Sequence, residues 1–366
     1  MSLSPRNSPE RGHLACYPAA ETAALRQVME QGWKTRRRSA GILPAILRPR
    51  RPRSDRCRWR FNREPLSRRQ GAQRLVCTSS GPVRCAPSAS PYNPVVPTYL
   101  EVCEVAVRRA GAVLLDRFGR IHARQKGPRD LVTEADLAAQ EVVRATLQEA
   151  FPTHALVGEE DSPASVNSRL ENDFRWIVDP LDGTTNYVHR VPFCCVSLAL
   201  EHRGRLLASA VFNPFCDECF TAASGQGAAL NGVPIHASQV RRLSEALVAA
   251  GFPAAVSPES PDLRVFNEVV VRCQGIRRTG SAALNLAYVA AGRFDAAWAC
   301  TTKVWDSAAG TLLIREAGGM VSSIAGEEVP LPDGPFVVAA TPDLHRELVA
   351  IVQKTLPVRH GFRQDF

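Results

Sequence analysis

The feature that most constrains the fold of this chain is the segment 176–186, in which an apolar run ends in two closely spaced aspartates. Asp179 and Asp182 lie three residues apart, Pro180 stiffens the link between them, and Gly183 and Thr184 follow at once. Carboxylates at a rigid strand end are oxygen ligands that suit Mg²⁺, and a Gly-Thr turn offers N–H and hydroxyl groups to phosphate. The segment therefore favours metal-assisted phosphate chemistry, although a simple Asx-rich turn after a buried strand has the same residue types.

Two further acidic segments strengthen the first interpretation. Upstream, the apolar run 155–158 ends in Glu159 and Glu160, and downstream Asp306 precedes an apolar helical pattern. In this order and spacing, the three segments resemble the inositol monophosphatase family over about residues 100–352. The resemblance implies an α/β (α+β) fold, the layered αβαβα sandwich of the inositol monophosphatase and fructose-1,6-bisphosphatase type.

The same resemblance implies a set of metal ligands, with Mg²⁺ as the cofactor. Glu159, Asp179 and the backbone carbonyl of Leu181 are expected to hold a first ion. Asp179, Asp182 and Asp306 are expected to hold a second ion, so that Asp179 bridges the two. Metal ions a few Å apart neutralise a phosphate dianion, activate water and stabilise the leaving alkoxide.

The catalytic residues implied by the resemblance are Thr184, Asp136 and Glu159. The attacking water would bind the first metal and Thr184, and Asp136, in the motif-like segment 126–136, would polarise that threonine. A carboxylate partner is chemically sensible because a neutral threonine is a poor base. The simpler alternative for Asp136 and Asp306 is that each caps a helix.

The resemblance also implies a set of groups that contact the substrate. Lys126 would act as a point charge near the phosphate, and the turn after Asp182 would supply N–H groups, which the missing Cβ of a glycine permits. Glu160 would support a weaker metal or act through a neighbouring ligand. A strand-to-helix turn is the alternative for segment 280–282. The substrate-binding set is Gly183, Thr184, Lys126, Gly280, Ser281 and Ala282.

One position departs from the family pattern and bears on the substrate. Typical inositol monophosphatases have a glutamate seven residues before the last aspartate, where this chain has Ala299. Loss of a hydroxyl acceptor weakens discrimination without touching the metals. The expected substrate is inositol monophosphate. The alternatives are histidinol phosphate, a sugar bisphosphate and a nucleotide 3′-phosphate.

Charge is distributed unevenly along the chain. Residues 1–90 carry 19 basic and 5 acidic side chains, whereas the remainder has a net charge of −5. An Arg-, Pro- and Ser-rich segment of this kind cannot bury enough apolar surface to offset its ordering entropy. We interpret 1–92 as a disordered extension, with an organelle-targeting segment and a misplaced start codon as alternatives. The predicted halves are 93–227, α+β and metal-binding, and 228–366, α/β.

The remaining sequence signals concern helices, partners and location. Three- and four-residue spacing after residue 97 predicts an amphipathic helix, and Thr133 with Asp136 resembles a capping box before a second helix. Scattered cysteines without a disulfide framework indicate reduced thiols, and no apolar stretch is long enough to span a membrane. A cytoplasmic homodimer acting on a small phosphate ester is expected, with nucleic acid an improbable partner. Nucleic-acid binding through the basic tail is the alternative of another class.

The division between tail and body gives a first prediction. A protein shortened to begin at Tyr92 is expected to stay folded and fully active, because every assigned site residue lies between Lys126 and Asp306. The measurement compares its melting temperature and phosphate-release rate with those of the full chain. An aggregated or inactive shortened protein would contradict the prediction and show that the tail packs on the body.

Overall fold

The helices and strands lie in the part of the chain that the computed structural model describes, residues 98–120, 123–127, 130–162, 172–332 and 334–356. The predicted extension 1–92 lies outside the described residues. In chain order the helices are α1 Tyr99–Arg117, α2 Glu134–Ala150, α3 Thr184–Val188, α4 Pro261–Val270, α5 Ala282–Ala290, α6 Val304–Glu316 and α7 Pro342–Thr355. The strands are β1 Ala123–Gly127, β2 Asp130–Thr133, β3 Ala155–Gly158, β4 Phe174–Asp182, β5 Cys195–His202, β6 Arg205–Asn213, β7 Glu218–Ala223, β8 Ala228–Leu230, β9 Val233–Ile235, β10 Leu247–Ala250, β11 Gly275–Arg277, β12 Ala296–Ala299, β13 Met320–Ser323 and β14 Phe336–Ala339.

Capping boxes start the first two helices. Thr98 accepts the Glu101 N–H, and the Glu101 carboxylate accepts the Thr98 N–H at 2.7 Å. Thr133 and Asp136 form the same reciprocal pair at the start of α2, as their spacing predicts. Such pairs satisfy N–H groups that have no partner inside the helix. The second box has a further consequence, because it fixes the position of the Asp136 carboxylate.

The larger sheet has seven strands in the order β3-β4-β5-β6-β7-β8-β9. Strand β3 runs parallel to β4, and every other neighbouring pair is antiparallel. Strands β4 to β7 are buried along most of their length, so helices must cover both faces of the sheet. The strand-like runs 206–212 and 218–222 of the sequence predict a hairpin, and the antiparallel pairing of β6 with β7 confirms it.

Three layers of helices alternate with the two sheets and give five layers in all. One face of the larger sheet packs on α1 and α2 through a core that includes Val107, Val143 and Trp176. The other face packs on α5 and α6, which also contact the second sheet, of order β11-β10-β12-β14-β13. Helices α4 and α7 cover the far side of that second sheet around Trp298 and Leu348. The predicted αβαβα sandwich is confirmed.

Two expectations from composition concern thiols and membranes. All seven cysteines within the described ranges have free thiols. Among the helices of the described residues, none is both long and apolar enough to cross a bilayer. Cys216 and Cys219 have the spacing of a metal-binding knuckle, but the sequence offers no second pair and so favours a hairpin turn. The structure places Cys216 between β6 and β7 and Cys219 in β7, as that interpretation predicts.

Close packing of α5 against α6 leads to a prediction about stability. Gly310 of α6 lies against Leu286 of α5, and a Cβ added at Gly310 would overlap the leucine side chain. Alanine at a helix interior is otherwise favoured over glycine by ~1 kcal/mol, whereas overpacking costs ~1–3 kcal/mol. Gly310→Ala is therefore expected to lower the free energy of unfolding, measured by urea denaturation.

A double-mutant cycle provides the control for this prediction. Leu286→Ala removes two of the three overlapping atoms, Cγ and Cδ1, and keeps the Cβ, so the double variant should recover part of the loss and be more stable than the sum of the two single effects implies. A Gly310→Ala protein as stable as the wild type would contradict the packing argument.

Candidate active site

The acidic residues of β3 and β4 meet because the two strands are parallel neighbours. Gly158 pairs with Val178, so the next residue, Glu159, lies beside Asp179. The Glu159 N–H donates to the Val178 carbonyl at 3.2 Å. The pairing of β4 with β5 is irregular between Asp179 and Asp182, a bulge of the kind that redirects side chains near functional sites. Two acidic segments that are separate in sequence thus meet at one strand end.

The acidic turn after β3 is held from α2. The Gln140 side-chain oxygen accepts the Glu160 N–H, and its amide donates to Asp161, both at 3.2 Å. Arg144 forms an ion pair with Asp161 at 2.7 Å, and Asp161 in turn accepts the Gly158 N–H at 3.0 Å. Gly158 has no room for a side chain because a Cβ would collide with Gln140. These hydrogen bonds fix the conformation of the backbone that carries Glu159.

Asp182 is bound by the N-terminus of α5. Its carboxylate accepts the N–H groups of Ala282 at 3.1 Å and Ala283 at 2.8 Å, and also the hydroxyl of buried Ser281. Gly280, just before, has a φ of +88°, which glycine adopts without strain. The structure therefore brings the predicted substrate segment 280–282 to a predicted metal ligand.

Asp306 lies inside the first turn of α6. The sequence pattern suggested that Asp306 precedes this helix, but the N-cap is Lys303. The Asp306 carboxylate accepts the Lys303 N–H at 2.8 Å and the Thr302 hydroxyl at 3.0 Å. The Ser197 hydroxyl of β5 donates to the Trp305 carbonyl at 3.3 Å, which ties this turn to the larger sheet. Asp306 can therefore cap α6 and also lie beside the other aspartates.

The turn after β4 presents Thr184 to Asp136. Gly183 has a φ of +94°, and a Cβ there would lie 3.1 Å from Cys194 Cβ. The Thr184 hydroxyl lies 3.2 Å from Asp136 Oδ1 and 3.0 Å from the Leu181 carbonyl, and its single hydrogen serves one of them at a time. The structure thus places the predicted nucleophile-orienting hydroxyl against the predicted carboxylate partner.

Asp136 is a buried carboxylate with an altered proton affinity. It is 1% exposed and accepts the Thr133 N–H at 2.9 Å and the Thr133 hydroxyl at 2.5 Å. Burial raises its pKa to about 6, an effect that the two Thr133 bonds oppose and the Glu160 charge increases. Asp136 therefore exchanges a proton near neutral pH, as a proton acceptor for a hydroxyl must.

Burial, and after it mutual repulsion, raises the pKa of the aspartates near the end of β4. The pKa of Asp179 is raised well above its usual range, first by burial and then by the charges of Glu159, Asp182 and Asp306. Burial also raises the pKa of Asp182 and, with the Asp182 charge, raises the pKa of Asp306 to about 6. Among the described residues, no Lys or Arg forms an ion pair with any of these three aspartates.

These acidic groups fit a hard cation by their chemistry. Each aspartate directs an oxygen to a protein N–H, such as that of Leu181 bound by Asp179 at 2.9 Å. Within the described ranges, no three His, Cys, Asp or Glu side chains form a ready-made metal cage. The donors are nevertheless all oxygens, and the charges of Glu159, Asp182 and Asp306 each raise the pKa of Asp179. A divalent cation with several oxygen ligands relieves that repulsion.

Three further positions singled out in the sequence are Lys126, Glu160 and Ala299. Lys126 belongs to β1, but its side chain lies outside the described residues. Glu160 is in the turn held by Gln140. Ala299, the departure from the family pattern, ends β12 and is 3% exposed, and its Cβ fills the space beside Gly251. The interpretation of Ala299 as a substrate-facing position stays a prediction.

Several positioning residues were not identified from the sequence. Gln140, Arg144 and Ser197 hold the backbone around the acidic cluster. Ser281 was expected only as a substrate contact, and its bond to Asp182 across 99 residues was not foreseen. Only Thr133 had a local signal, since the capping-box spacing pointed to its bonds with Asp136. The other contacts join elements far apart in the chain and leave no periodic or motif signal.

Comparison with known proteins agrees with this architecture. The model of the inositol monophosphatase family matches residues 97–356. The "Nus factor SuhB" of Pseudomonas aeruginosa is 41% identical over 264 residues, which cover 70% of this chain and 97% of that protein. The "Inositol-1-monophosphatase" of Rhizobium meliloti is 40% identical over 262 residues, with 70% and 97% covered.

Solved structures agree as well. The extragenic suppressor protein suhB from Bartonella henselae has a TM-score of 0.65 at 36% identity, with 70% of this chain and 98% of that chain covered. The inositol monophosphatase from Anabaena has a TM-score of 0.61 at 34% identity, with 72% and 98% covered. The chain therefore belongs to the inositol monophosphatase family, whose general activity is that of a phosphatase.

Proposed function

We propose that this chain is an Mg²⁺-dependent phosphomonoesterase that hydrolyses inositol monophosphate to inositol and phosphate. The observation that carries the proposal is the buried carboxylate cluster of Asp179, Asp182 and Asp306 next to the Thr184–Asp136 pair. The family is metal-dependent in general, and all-oxygen donors favour Mg²⁺ over softer metals. The expected homodimer and cytoplasmic location stay predictions.

The proposed metal-holding residues are those that the family resemblance implies. Glu159, Asp179 and the Leu181 carbonyl would hold one ion, and Asp179, Asp182 and Asp306 would hold the other. Mg²⁺ bound here supplies positive charge against the phosphate dianion, acidifies water and stabilises the leaving oxygen. The N–H and hydroxyl donors on Asp182 hold its carboxylate at one angle, so the ligand is positioned before any ion binds.

The residues of the chain then handle the proton and the phosphate. The Thr184 hydroxyl accepts a hydrogen bond from the attacking water while donating its own hydrogen to Asp136 Oδ1. Thr133 holds the ionised Asp136 carboxylate in place, so the Thr184 hydroxyl that donates to it keeps one orientation. The backbone N–H groups of Gly183 and Thr184, at the start of α3, would face the phosphate oxygens. Together these groups orient the water and neutralise charge as it develops.

Two sequence features bear on the identity of the substrate, and they point in opposite directions. The turn sequence from Asp182 to Asn186 favours inositol-phosphatase-like members, whereas Ala299 removes a hydroxyl acceptor. Histidinol phosphate, a sugar bisphosphate and a nucleotide 3′-phosphate are the same-class alternatives. The nucleic-acid alternative depends on the basic tail, which lies outside the described residues.

A substrate panel tests the proposal. Phosphate release from inositol 1-phosphate, histidinol phosphate, fructose 1,6-bisphosphate and adenosine 3′-phosphate would be measured at saturating Mg²⁺. We expect the highest kcat/KM for inositol 1-phosphate and no turnover when EDTA removes the metal. Asp179→Asn, prepared in the same way, reports contaminating phosphatase, because an amide is a weaker, neutral ligand. A preference for another ester of at least about tenfold, or ~1.4 kcal/mol, would replace the substrate assignment.

A second prediction concerns Thr184. Thr184→Ala is expected to lower kcat by roughly 10²–10⁴, the usual contribution of general acid–base catalysis, and to leave the Mg²⁺ half-saturation concentration little changed. Thr184→Ser keeps the hydroxyl and is the matched control, which should retain most activity. The assigned role would be wrong if Thr184→Ala moved Mg²⁺ half-saturation about tenfold while kcat at saturating Mg²⁺ stayed the same.

A further inference from the structure

A cavity beside the carboxylate cluster lies on the same face of the larger sheet as α6. Its volume is about 590 Å³, within the ~300–1,000 Å³ typical of small-molecule sites. Val157, Ile177 and Val304 form its apolar side, and each lies two residues before an acidic residue of the candidate active site. The cavity is therefore a neighbour of the carboxylate cluster, and the described residues that line it include no carboxylate.

Arginines give the rim of the cavity a positive charge. Arg175 forms an ion pair with buried Glu201 at 2.5 Å, and Arg203 forms one with Asp173 at 2.6 Å. Arg205 is exposed and makes no ion pair within the described part of the chain. Two of the three guanidinium charges are thus matched, and one remains for a ligand.

Both walls of the cavity are held in place by local structure. Arg203 and Gly204 form a two-residue turn between β5 and β6, with φ values of +49° and +83° and His202 paired with Arg205. Such turns follow the strand twist and have little conformational freedom. On the other side, Arg315 donates to the Pro330 carbonyl at 2.6 Å, which holds the segment that contributes Leu331. A cavity built in this way loses little entropy when it binds.

We propose that this cavity is a binding site for an amphipathic monoanion, a single carboxylate on an apolar body the size of a medium-length acyl chain. The carboxylate pairs with Arg205, and the apolar body lies against Val157, Ile177 and Leu331. The single unmatched positive charge favours a monoanion, and the apolar side disfavours a sugar phosphate, whose hydroxyls would find no partners there. The site is separate from the proposed phosphatase site and does not depend on it.

Ligand displacement tests the proposal on the full chain. The fluorescent probe 8-anilinonaphthalene-1-sulfonate would be titrated in saturating Mg²⁺ and inorganic phosphate, so that the phosphatase site is filled. Octanoate is expected to displace the probe, whereas octyltrimethylammonium, of the same chain length and opposite charge, is not. Equal displacement by both compounds would overturn the proposal, because the rim charge would then play no part.

Variants locate the binding. Arg205→Gln is expected to weaken octanoate binding about tenfold, the loss of one charge-assisted contact, and Leu331→Asp to weaken it at least as much. Arg241→Gln removes another exposed arginine and is the matched control, expected to bind as the wild type does. Unchanged affinity in Arg205→Gln, which lies on the surface and should fold normally, would overturn the proposal. Equal weakening in Arg241→Gln would do the same.

Discussion

Repulsion among carboxylates at the end of β4 is the interaction on which the rest of this structure depends. Asp179 is 2% exposed and lies close enough to Glu159, Asp182 and Asp306 for each charge to raise its pKa. Burial of like charges is expensive unless hydrogen bonds or a counter-charge offset it. The protein supplies N–H and hydroxyl donors to the individual aspartates, and no Lys or Arg of the described residues forms an ion pair with them. A bound divalent cation would complete this arrangement.

Several layers of the fold contribute residues to the carboxylate cluster. β3 and β4 bring the first acidic residues together, and α5 and α6, between the two sheets, bring Ser281 and Asp306 to the same strand end. The close contact of Gly310 with Leu286 sets how near α5 and α6 can lie. Packing in the middle layer therefore controls the geometry of a site whose ligands come from both halves of the described chain.

Local patterns predicted the parts of this structure that depend on short-range rules. The capping box of Thr133 and Asp136, the hairpin of β6 and β7, and the apolar run that ends at Asp179 were all visible in sequence, because each depends on neighbours a few residues apart. The layered architecture came from the family resemblance instead, since periodicity carries no information on the order of layers.

Long-range contacts were beyond the reach of the sequence. Nothing near Asp182 indicates that Ser281 would bind it, because the two meet only after α5 packs against the larger sheet. The start of α6 at Val304, before Asp306 rather than after it, depends on Lys303 adopting extended backbone at the N-cap. The arginine-rimmed cavity likewise combines residues of β3, β4, β6 and α6 with two connecting segments. No pattern within any one segment predicts it.

Thermal unfolding of the wild type and Asp179→Asn, each with EDTA and with Mg²⁺, tests the central claim most directly. The amide keeps the oxygen that accepts the Leu181 N–H and removes a repelling charge. Without metal, the variant should therefore melt at or above the wild-type temperature. Mg²⁺ should raise the melting temperature of the wild type, because a ligand that binds only the folded state stabilises it, and should leave that of the variant unchanged. A variant that melts lower without metal, together with a wild type that does not respond to Mg²⁺, would contradict the account.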